Sequence, residues 1–117
     1  MTNRLVQKLC RQYAVVRNYL NADKFGQAVF GGRYEIKVRW NKIRREVVSD
    51  NGSVVVLTDE IHTYLDIPVG SIIRLGRLSD ADNDLVEIVT RKVVPDIKSR
   101  QYVYVYGARR WSNKVPA

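Results

Sequence analysis

The only histidine of the chain, His62, lies in the segment TDEIHTYL among residues that acid–base chemistry uses. A catalytic triad needs a base held between a nucleophile and an orienting acid, and the neighbours that could take part are Asp59, Glu60 and Thr63. The sequence contains neither a nucleophile elbow nor a Cys-His signature to complete such a site. A surface or turn histidine explains His62 better, and we expect the protein not to be an enzyme.

Three aspartates alternate in the segment SDADND, at a spacing that oxygen ligands of a calcium loop can have: Asp80, Asp82 and Asp84. The Gly and the distant bidentate Glu of the EF-hand pattern do not follow them, so we expect a solvated acidic loop or an acidic docking surface for a neighbouring subunit. Cys10 and His62 are single residues of their types, which argues against a zinc site. GQAVFGG lacks the spacing and the Lys-Ser/Thr of a phosphate-binding loop. The sequence therefore predicts no metal and no cofactor.

Basic side chains form two clusters, one in the segment RWNKIRR and one near the C-terminus. Such side chains neutralise phosphates in a general, salt-sensitive way, and the tyrosines of YVYVY could stack single-stranded bases. Core and cross-strand packing explains the same tyrosines better. The candidate contact residues for a neighbouring subunit or for DNA in a channel are Arg39, Lys42, Arg44, Arg45, Asn51, Gly52, Arg109 and Arg110.

The net charge of +8 is segregated along the 117 residues. Residues 1–50 carry +7, residues 51–90 carry −5 and residues 91–117 carry +6, which sums to +8. Charge of both signs suits docking of like subunits at least as well as it suits DNA. No apolar run approaches the roughly 20 residues of a membrane span, and the N-terminus lacks the apolar core of a secretory signal. We expect one domain in a reducing, aqueous compartment, without a membrane partner.

The clearest strand pattern is the alternation of Tyr34, Ile36, Val38 and Trp40 with charged residues, which predicts a half-buried antiparallel strand. Trp40 is the expected core anchor of this face. The dipeptide Asn51-Gly52 between two valine runs is a strong hairpin signal. We expect strand 34–48 to return as strand 53–58, in a hairpin long enough to project beyond a barrel or to bend at a bulge.

The remaining segments predict short strands joined by turns. YAVVRNYL, SIIRLG, LVEIVTRKVV and QYVYVYGARRW are expected strands, NADKFGQAVFGG and PDIKSR are expected connections, and Thr58 is expected to cap a short turn that contains Asp59 and Glu60. Residues 1–12 suit a basic helix or arm, and residues 108–117 suit a flexible tail. The predicted fold of residues 1–117 is a mainly β, small antiparallel barrel or sandwich of about six strands.

Short motifs occur in an order that resembles the small head-to-tail joining proteins of tailed bacteriophages, the stopper, neck or head-completion family. The resemblance covers most of residues 10–107. A basic arm is followed by an A-V-Y-like strand, a D-x-x-G loop, an E-I-x-x-R-W strand, a tip with Gly, a valine run, a D-x-P-x-G turn, an L-G strand end and a P-D-[IL]-K turn. These motifs occur here as Ala14 to Val16, Asp23 to Gly26, Glu35 to Trp40, Asp50 to Gly52, Val54 to Val56, Asp66 to Gly70, Leu75-Gly76 and Pro95 to Lys98.

The resemblance implies a structural virion protein that assembles into a six- or twelve-fold ring between the portal or adaptor side of the head and the tail. Such a ring closes the DNA exit and gives the tail, or a tail-terminator protein, a docking surface. The implied partners are copies of the chain itself, portal or adaptor proteins, tail proteins and packaged double-stranded DNA. The implied location is the virion neck, after assembly in the host cytoplasm. A free-standing nucleic-acid-binding barrel is the alternative that the residues leave open.

Overall fold

A computed structural model describes residues 12–48, 51–81, 83–96 and 101–111, which form one antiparallel sheet closed into a barrel. The strand order around the barrel is β1-β2-β3-β6-β5-β4. The predicted mainly β fold of about six strands is confirmed. The strands are β1 (Gln12–Ala22), β2 (Ala28–Val48), β3 (Val54–Thr63), β4 (Ile72–Leu75), β5 (Val86–Asp96) and β6 (Gln101–Arg110).

The core lies inside the barrel because each strand turns alternate side chains inward. On β2 the inward residues include Val38 and Trp40, with Tyr34 and Ile36 packed against the cluster, as the alternation predicts. Ala14 and Val16 of β1 are completely buried in the same cluster. The other buried members are Ile61, Ile67, Ile73, Val86, Ile88, Tyr106 and Ala108.

Two neighbouring hairpins extend beyond the strands that flank them. The β1–β2 pairing runs from Gln12↔Val38 to Ala22↔Ala28, whereas β4 pairs with β1 no further than Arg17. The β2–β3 pairing continues to Val48↔Val54, although β6 pairs with β3 no further than Asp59. Each hairpin therefore carries a tip that only its own two strands hold by backbone hydrogen bonds within the described residues.

The β2–β3 hairpin has the predicted tip and the predicted bulge. Gly52 adopts a φ of +85° that L side chains rarely reach, and the Asn51 Oδ1 accepts a hydrogen bond from the Ser53 N–H at 3.0 Å. The register shifts between Lys42 and Arg45, which adds one residue on β2 against β3. A bulge of this kind bends the hairpin and increases its twist.

Several predicted boundaries are wrong. The expected capped turn at Thr58–Glu60 is part of β3, because Asp59 pairs across the sheet with Lys42 and alternation continues to Thr63. Residues 28–32 belong to β2 instead of the preceding connection. The predicted tail begins too early, because Ala108 is completely buried and pairs with both Asp59 and Ile88.

Other predictions fall partly or wholly outside the described residues. The N-terminal helix or arm lies there except for Gln12, which begins β1. The C-terminal tail lies there from residue 112 onward. Most of the turn predicted after β5 also lies there, whereas Pro95 is still part of that strand.

Candidate functional site

A buried carboxylate marks the end of the barrel from which the β2–β3 hairpin extends. Asp59 is 1% exposed, and its Oδ1 accepts hydrogen bonds from the Trp40 indole Nε1 at 2.8 Å and the Lys42 Nζ at 2.7 Å. The Thr58 hydroxyl donates to Oδ2 at 2.7 Å. Burial would raise the pKa of the Asp59 carboxyl, but these hydrogen bonds and the Lys42 charge outweigh it and hold the pKa below its usual value. The carboxylate is therefore ionised and locked to three partners.

The strand register explains this network. Lys42 lies directly opposite Asp59, one inward position beyond the Trp40↔Ile61 pair. Alternation therefore turns all four side chains toward the same face of the sheet. Lys42 keeps 79% of its side chain exposed while its ammonium group covers the buried acid. The structure thus gives Lys42 a specific partner at the barrel end.

A groove of about 750 Å³ opens beside the network. Its floor and one side include Trp40, Leu85 and Val86, all of which are buried in the fold. The groove is also lined by the segment between β4 and β5, here called the acidic loop (residues 76–85), to which Leu85 belongs. The described residues that line the groove are Trp40, Lys42, Thr58, Asp59, Arg74, Leu75, Asp80, Ala81, Asn83, Asp84, Leu85, Val86 and Arg110.

Arg74 holds the acidic loop in place from beneath. Its side chain is buried, with 1% exposure for the residue, and one guanidinium nitrogen donates to the Arg77 carbonyl at 3.2 Å and to the Asp80 carbonyl at 2.7 Å. The Asp80 carboxylate in turn accepts from the Arg77 N–H at 2.8 Å. Gly76 has a φ of +123°, and a Cβ there would lie 2.9 Å from the Asp80 Oδ2. The first half of the loop is consequently a fixed wall.

The same loop is fastened to the outside of the barrel. Glu35 Oε2 accepts hydrogen bonds from the Arg77 Nε at 3.1 Å and from the Leu78 N–H at 2.9 Å. The Arg77 guanidinium also lies 3.9 Å from the centre of the Tyr13 ring, a close cation–π contact. Glu35 belongs to the E-I-x-x-R-W motif, and in this fold it positions the acidic loop.

The three predicted aspartates of the acidic loop have different environments. Asp80 is used within the loop, and Asp82 lies outside the described residues. Asp84 is exposed at a φ of +51°, which aspartate tolerates better than most side chains. No ion pair joins Asp84 to another residue in the part of the chain that the structure describes. Asp84 is therefore the carboxylate of this lining that a partner can reach most directly.

The predicted basic residues are spread over both sides of the barrel end. Arg44, within the bulge of β2, and Arg45, just after it, are exposed. Arg39 is half-buried, and Asn51 and Gly52 are exposed at the tip. Arg45 pairs with Glu60 at 3.2 Å, and Arg109 pairs with Glu87 at 2.8 Å. Of the basic residues predicted as contacts, only Lys42 and Arg110 line the groove. The sequence cluster is thus not one continuous basic patch.

His62 lies on the opposite face of β3 from Asp59. Its Nε2 lies 2.8 Å from the Glu60 Oε1, and the hydrogen bond from His62 is the main cause of the lowered pKa of the Glu60 carboxyl. The Thr63 hydroxyl donates instead to the Lys37 carbonyl at 3.1 Å. His62, Asp59 and Thr63 are therefore not brought together as a triad. No cluster of three or more metal-ligating side chains occurs among the described residues.

The tyrosines of β6 differ in what they offer a ligand. The Tyr106 hydroxyl donates to the Leu65 carbonyl at 2.7 Å and accepts from the Ile67 N–H at 2.6 Å, and burial raises its pKa to about 12. Tyr104 stacks on Tyr106 with ring centres 6.3 Å apart. Tyr102, at 55% exposure, is the one of the three with a largely open ring. Tyr104 and Tyr106 therefore pack within the fold, and the ring of Tyr102 is accessible to a nucleic-acid base.

Sequence reasoning missed the tip of the β1–β2 hairpin as a candidate contact. Phe25 is 78% exposed there, which is the highest value among the large exposed hydrophobic residues described. The Asp23 Oδ1 accepts hydrogen bonds from the Phe25 N–H at 2.8 Å and the Gln27 N–H at 2.9 Å, and Gly26 has a φ of +80°. The D-x-x-G motif predicts the turn, but nothing local in the sequence shows that its aromatic residue points outward.

Comparison of the chain with protein-family models and with curated proteins gave no match. In the described part of the chain, no helix is long and apolar enough to cross a membrane. The fold and the site together define a small closed antiparallel barrel with extended hairpins and a mixed-charge groove at one end.

Proposed function

We propose that this chain is a structural protein of the neck of a tailed bacteriophage. It forms a ring between the portal or adaptor side of the head and the tail, closes the DNA exit and offers the tail a docking surface. The ordered motifs quoted above suggest this role. The observation that carries it is the β2–β3 hairpin. Its strand β2 has 21 residues and is longer than β1 or β3, so the hairpin holds basic residues beyond the barrel.

Several motifs of the resemblance have mutually supporting positions in the fold. Glu35 fastens the acidic loop, and Trp40 donates to the buried Asp59. The D-x-x-G motif forms a rigid tip, and Gly70 of the D-x-P-x-G turn packs so closely on Tyr19 that a Cβ would lie 3.2 Å from its ring. Because each of these short motifs has a structural role in the same fold, they can be treated together as one sequence pattern.

The distribution of exposed residues also favours an assembly protein. Both extended hairpins carry exposed apolar side chains, among them Phe25 at 78%, Val48 at 71% and Val54 at 65%. Exposed apolar groups next to charges are typical of surfaces that become buried against another protein. Charge of opposite sign in different parts of one chain suits head-to-tail contacts in a ring.

The direct experiment mixes purified protein with filled, tail-less heads of the phage that encodes it and images the head vertex. The expected result is a ring at the DNA exit and retention of DNA in the heads. Failure of the protein to bind the vertex would overturn the proposal.

A matched pair of variants tests the part played by the β2–β3 hairpin. Arg44→Glu reverses a charge on that hairpin, and Lys92→Glu reverses one on the β5–β6 hairpin; both residues are exposed strand positions. We expect Arg44→Glu to weaken vertex binding by roughly tenfold, because like charges at an interface are costly, and Lys92→Glu to leave it unchanged. Equal effects of the two variants on vertex binding would show that the β2–β3 hairpin is not part of the binding surface.

A free-standing nucleic-acid-binding barrel is the second candidate, favoured by the exposed Arg44 and Arg45 and by the open ring of Tyr102. It predicts submicromolar binding of short oligonucleotides with a steep dependence on salt, because cations bound at the phosphates are released. The double variant Arg44→Ala/Arg45→Ala should abolish that binding. Weak binding that does not change with salt would exclude this function.

A further inference from the structure

The tip of the β1–β2 hairpin is built as a rigid knob. Residues 20–29 are all exposed, yet the turn at residues 23–27 is fixed by two hydrogen bonds to the Asp23 carboxylate and by two backbone bonds between Asp23 and the residues Gly26 and Gln27. The Lys24 ammonium lies 5.1 Å from the centre of the Phe25 ring. A turn whose backbone is already fixed loses little conformational entropy when it binds, and this turn presents an exposed aromatic ring, as interface anchors do.

The groove at the other end of the barrel has the complementary chemistry. Its apolar surface comes from Trp40, Leu75, Leu85 and Val86, and Leu75 is still 42% exposed. Asp84 supplies an exposed carboxylate at its rim. The Lys42 ammonium and the Arg74 guanidinium are already engaged within the fold, as described above. Arg110 remains as an exposed cation, and an aromatic face attracts cations.

The knob cannot reach the groove of its own chain. The carbonyl of Tyr13, near the start of β1, accepts a hydrogen bond from the Gly76 N–H at the groove wall, whereas the knob follows the other end of the strand at Ala22. Strand β1 has 11 residues. At about 3.3 Å per residue the two features are separated by roughly 30 Å along this strand. Only a second molecule can bring them together.

We propose that the knob of one copy, Lys24 and Phe25, inserts into the groove of the next copy, with Phe25 against the apolar floor and Lys24 paired with Asp84. The contact is heterologous, because the two surfaces differ, so repetition closes a ring if the rotation permits. The inference that this contact closes the neck ring rests on the proposed function. The pairing of knob and groove rests on the exposure, the apolar character and the charge of the two surfaces.

Complementary variants test the contact in solution. Phe25→Ala removes the knob, and Ala81→Trp fills the groove from an exposed position of its lining. Sedimentation should show self-association of the wild-type protein and a loss of at least roughly tenfold in affinity for either variant alone, as for an interface anchor. A mixture of the two variants should give a one-to-one heterodimer and nothing larger, because one intact knob meets one intact groove.

The control for exposed aromatic area is Tyr102→Ala, which should associate as the wild type does. A Phe25→Ala variant that associates normally, or a mixture without heterodimer, would overturn the inference. So would a wild-type protein that stays monomeric up to about 1 mM, where a contact contributes only about 4 kcal/mol of binding free energy.

A measurement on the wild-type protein alone tests the contact without depending on whether the variants fold. Dilution of ¹⁵N-labelled protein followed by NMR should shift amide resonances at the knob and in the groove together. Shifts confined to the groove, or to the β2–β3 hairpin, would show a different occupant or a different contact and overturn the inference.

The contact and the neck role fail in different ways. If wild-type protein and Phe25→Ala bind filled heads equally well, the neck role stands and the knob contact is wrong. If the wild-type protein associates through knob and groove but never binds heads, the contact stands and the neck role is wrong.

Discussion

At the scale of single residues, the fold makes unusual use of two charged side chains. Asp59 and Arg74 are both buried at 1% exposure, although charged residues of this kind are almost never fully buried without partners. Asp59 accepts a hydrogen bond from the Trp40 indole and forms an ion pair with Lys42 at the barrel end. Arg74 donates hydrogen bonds to backbone carbonyls of the acidic loop. Both therefore shape the groove through contacts within the fold.

Loss of the Asp59 carboxylate should destabilise the fold. Asp59→Ala leaves the Trp40 N–H buried without its acceptor and removes the partner of Lys42, so we expect the free energy of unfolding in urea to fall by about 3 kcal/mol. The control is the next residue, Glu60→Ala, whose partly exposed ion pairs should contribute no more than about 1 kcal/mol. Equal losses would show that the buried network has no special role.

The same carboxylate gives the stability a predictable dependence on pH. Its pKa in the folded protein lies below the ordinary value of 3.8, so its contribution is complete above that value and disappears as the pH falls through the lower folded pKa. Stability should therefore decrease below about pH 4, more steeply in the wild type than in Asp59→Asn. Urea unfolding at a series of pH values measures the slopes, and equal acid slopes would contradict the assigned ionisation.

At the scale of elements, the sequence predicts the features that depend on neighbouring residues in the chain. The inward face of β2 and the Asn51-Gly52 tip follow from alternation and from turn chemistry, which are visible within ten residues. The continuation of β3 past Thr58 is not visible, because Thr-Asp-Glu resembles a helix cap unless the partner strand with Trp40 and Lys42 is known. A tertiary contact overrides the local signal at this point.

Packing between β3, β5 and β6 depends on a glycine. A Cβ at Gly107 would lie 2.4 Å from the Thr90 Oγ1 and 2.6 Å from the Leu57 Cδ1, so Gly107→Ala should lower the free energy of unfolding by about 1 to 3 kcal/mol through overpacking. Gly32→Ala is the matched control, because no atom of any residue other than its two chain neighbours lies within 4 Å of its added Cβ. A change at Gly32 as large as that at Gly107 would contradict this packing.

At the scale of the whole molecule, the barrel order and the groove were beyond prediction from one sequence. The pairings Ala14↔Leu75 and Asp59↔Ala108 join residues about half a chain apart, and no local pattern specifies them. The groove arises only when these pairings bring Trp40, Asp84 and Arg110 to one end of the barrel. The acidic loop could be predicted as a charged segment, but its role as a groove wall depends on Arg74 and Glu35.

In the proposed ring, each molecule contacts its neighbours through the hairpin tips and through the groove. Exposed apolar and basic groups lie on the knob at residues 23–27 and on the β2–β3 hairpin. In the proposed ring, the groove binds the knob of a neighbouring copy. The proposed contact pairs Lys24, from the basic first part of the chain, with Asp84, from the acidic middle part, and does not require every basic residue to contact DNA.

An electron cryo-microscopy image of the assembled neck tests the central claim most directly. We expect a ring of six or twelve barrels between portal and tail, into whose density this fold fits with the β1–β2 knob of each copy in the groove of its neighbour. A neck whose rings are all filled by other proteins, with no density for this barrel, would contradict the account.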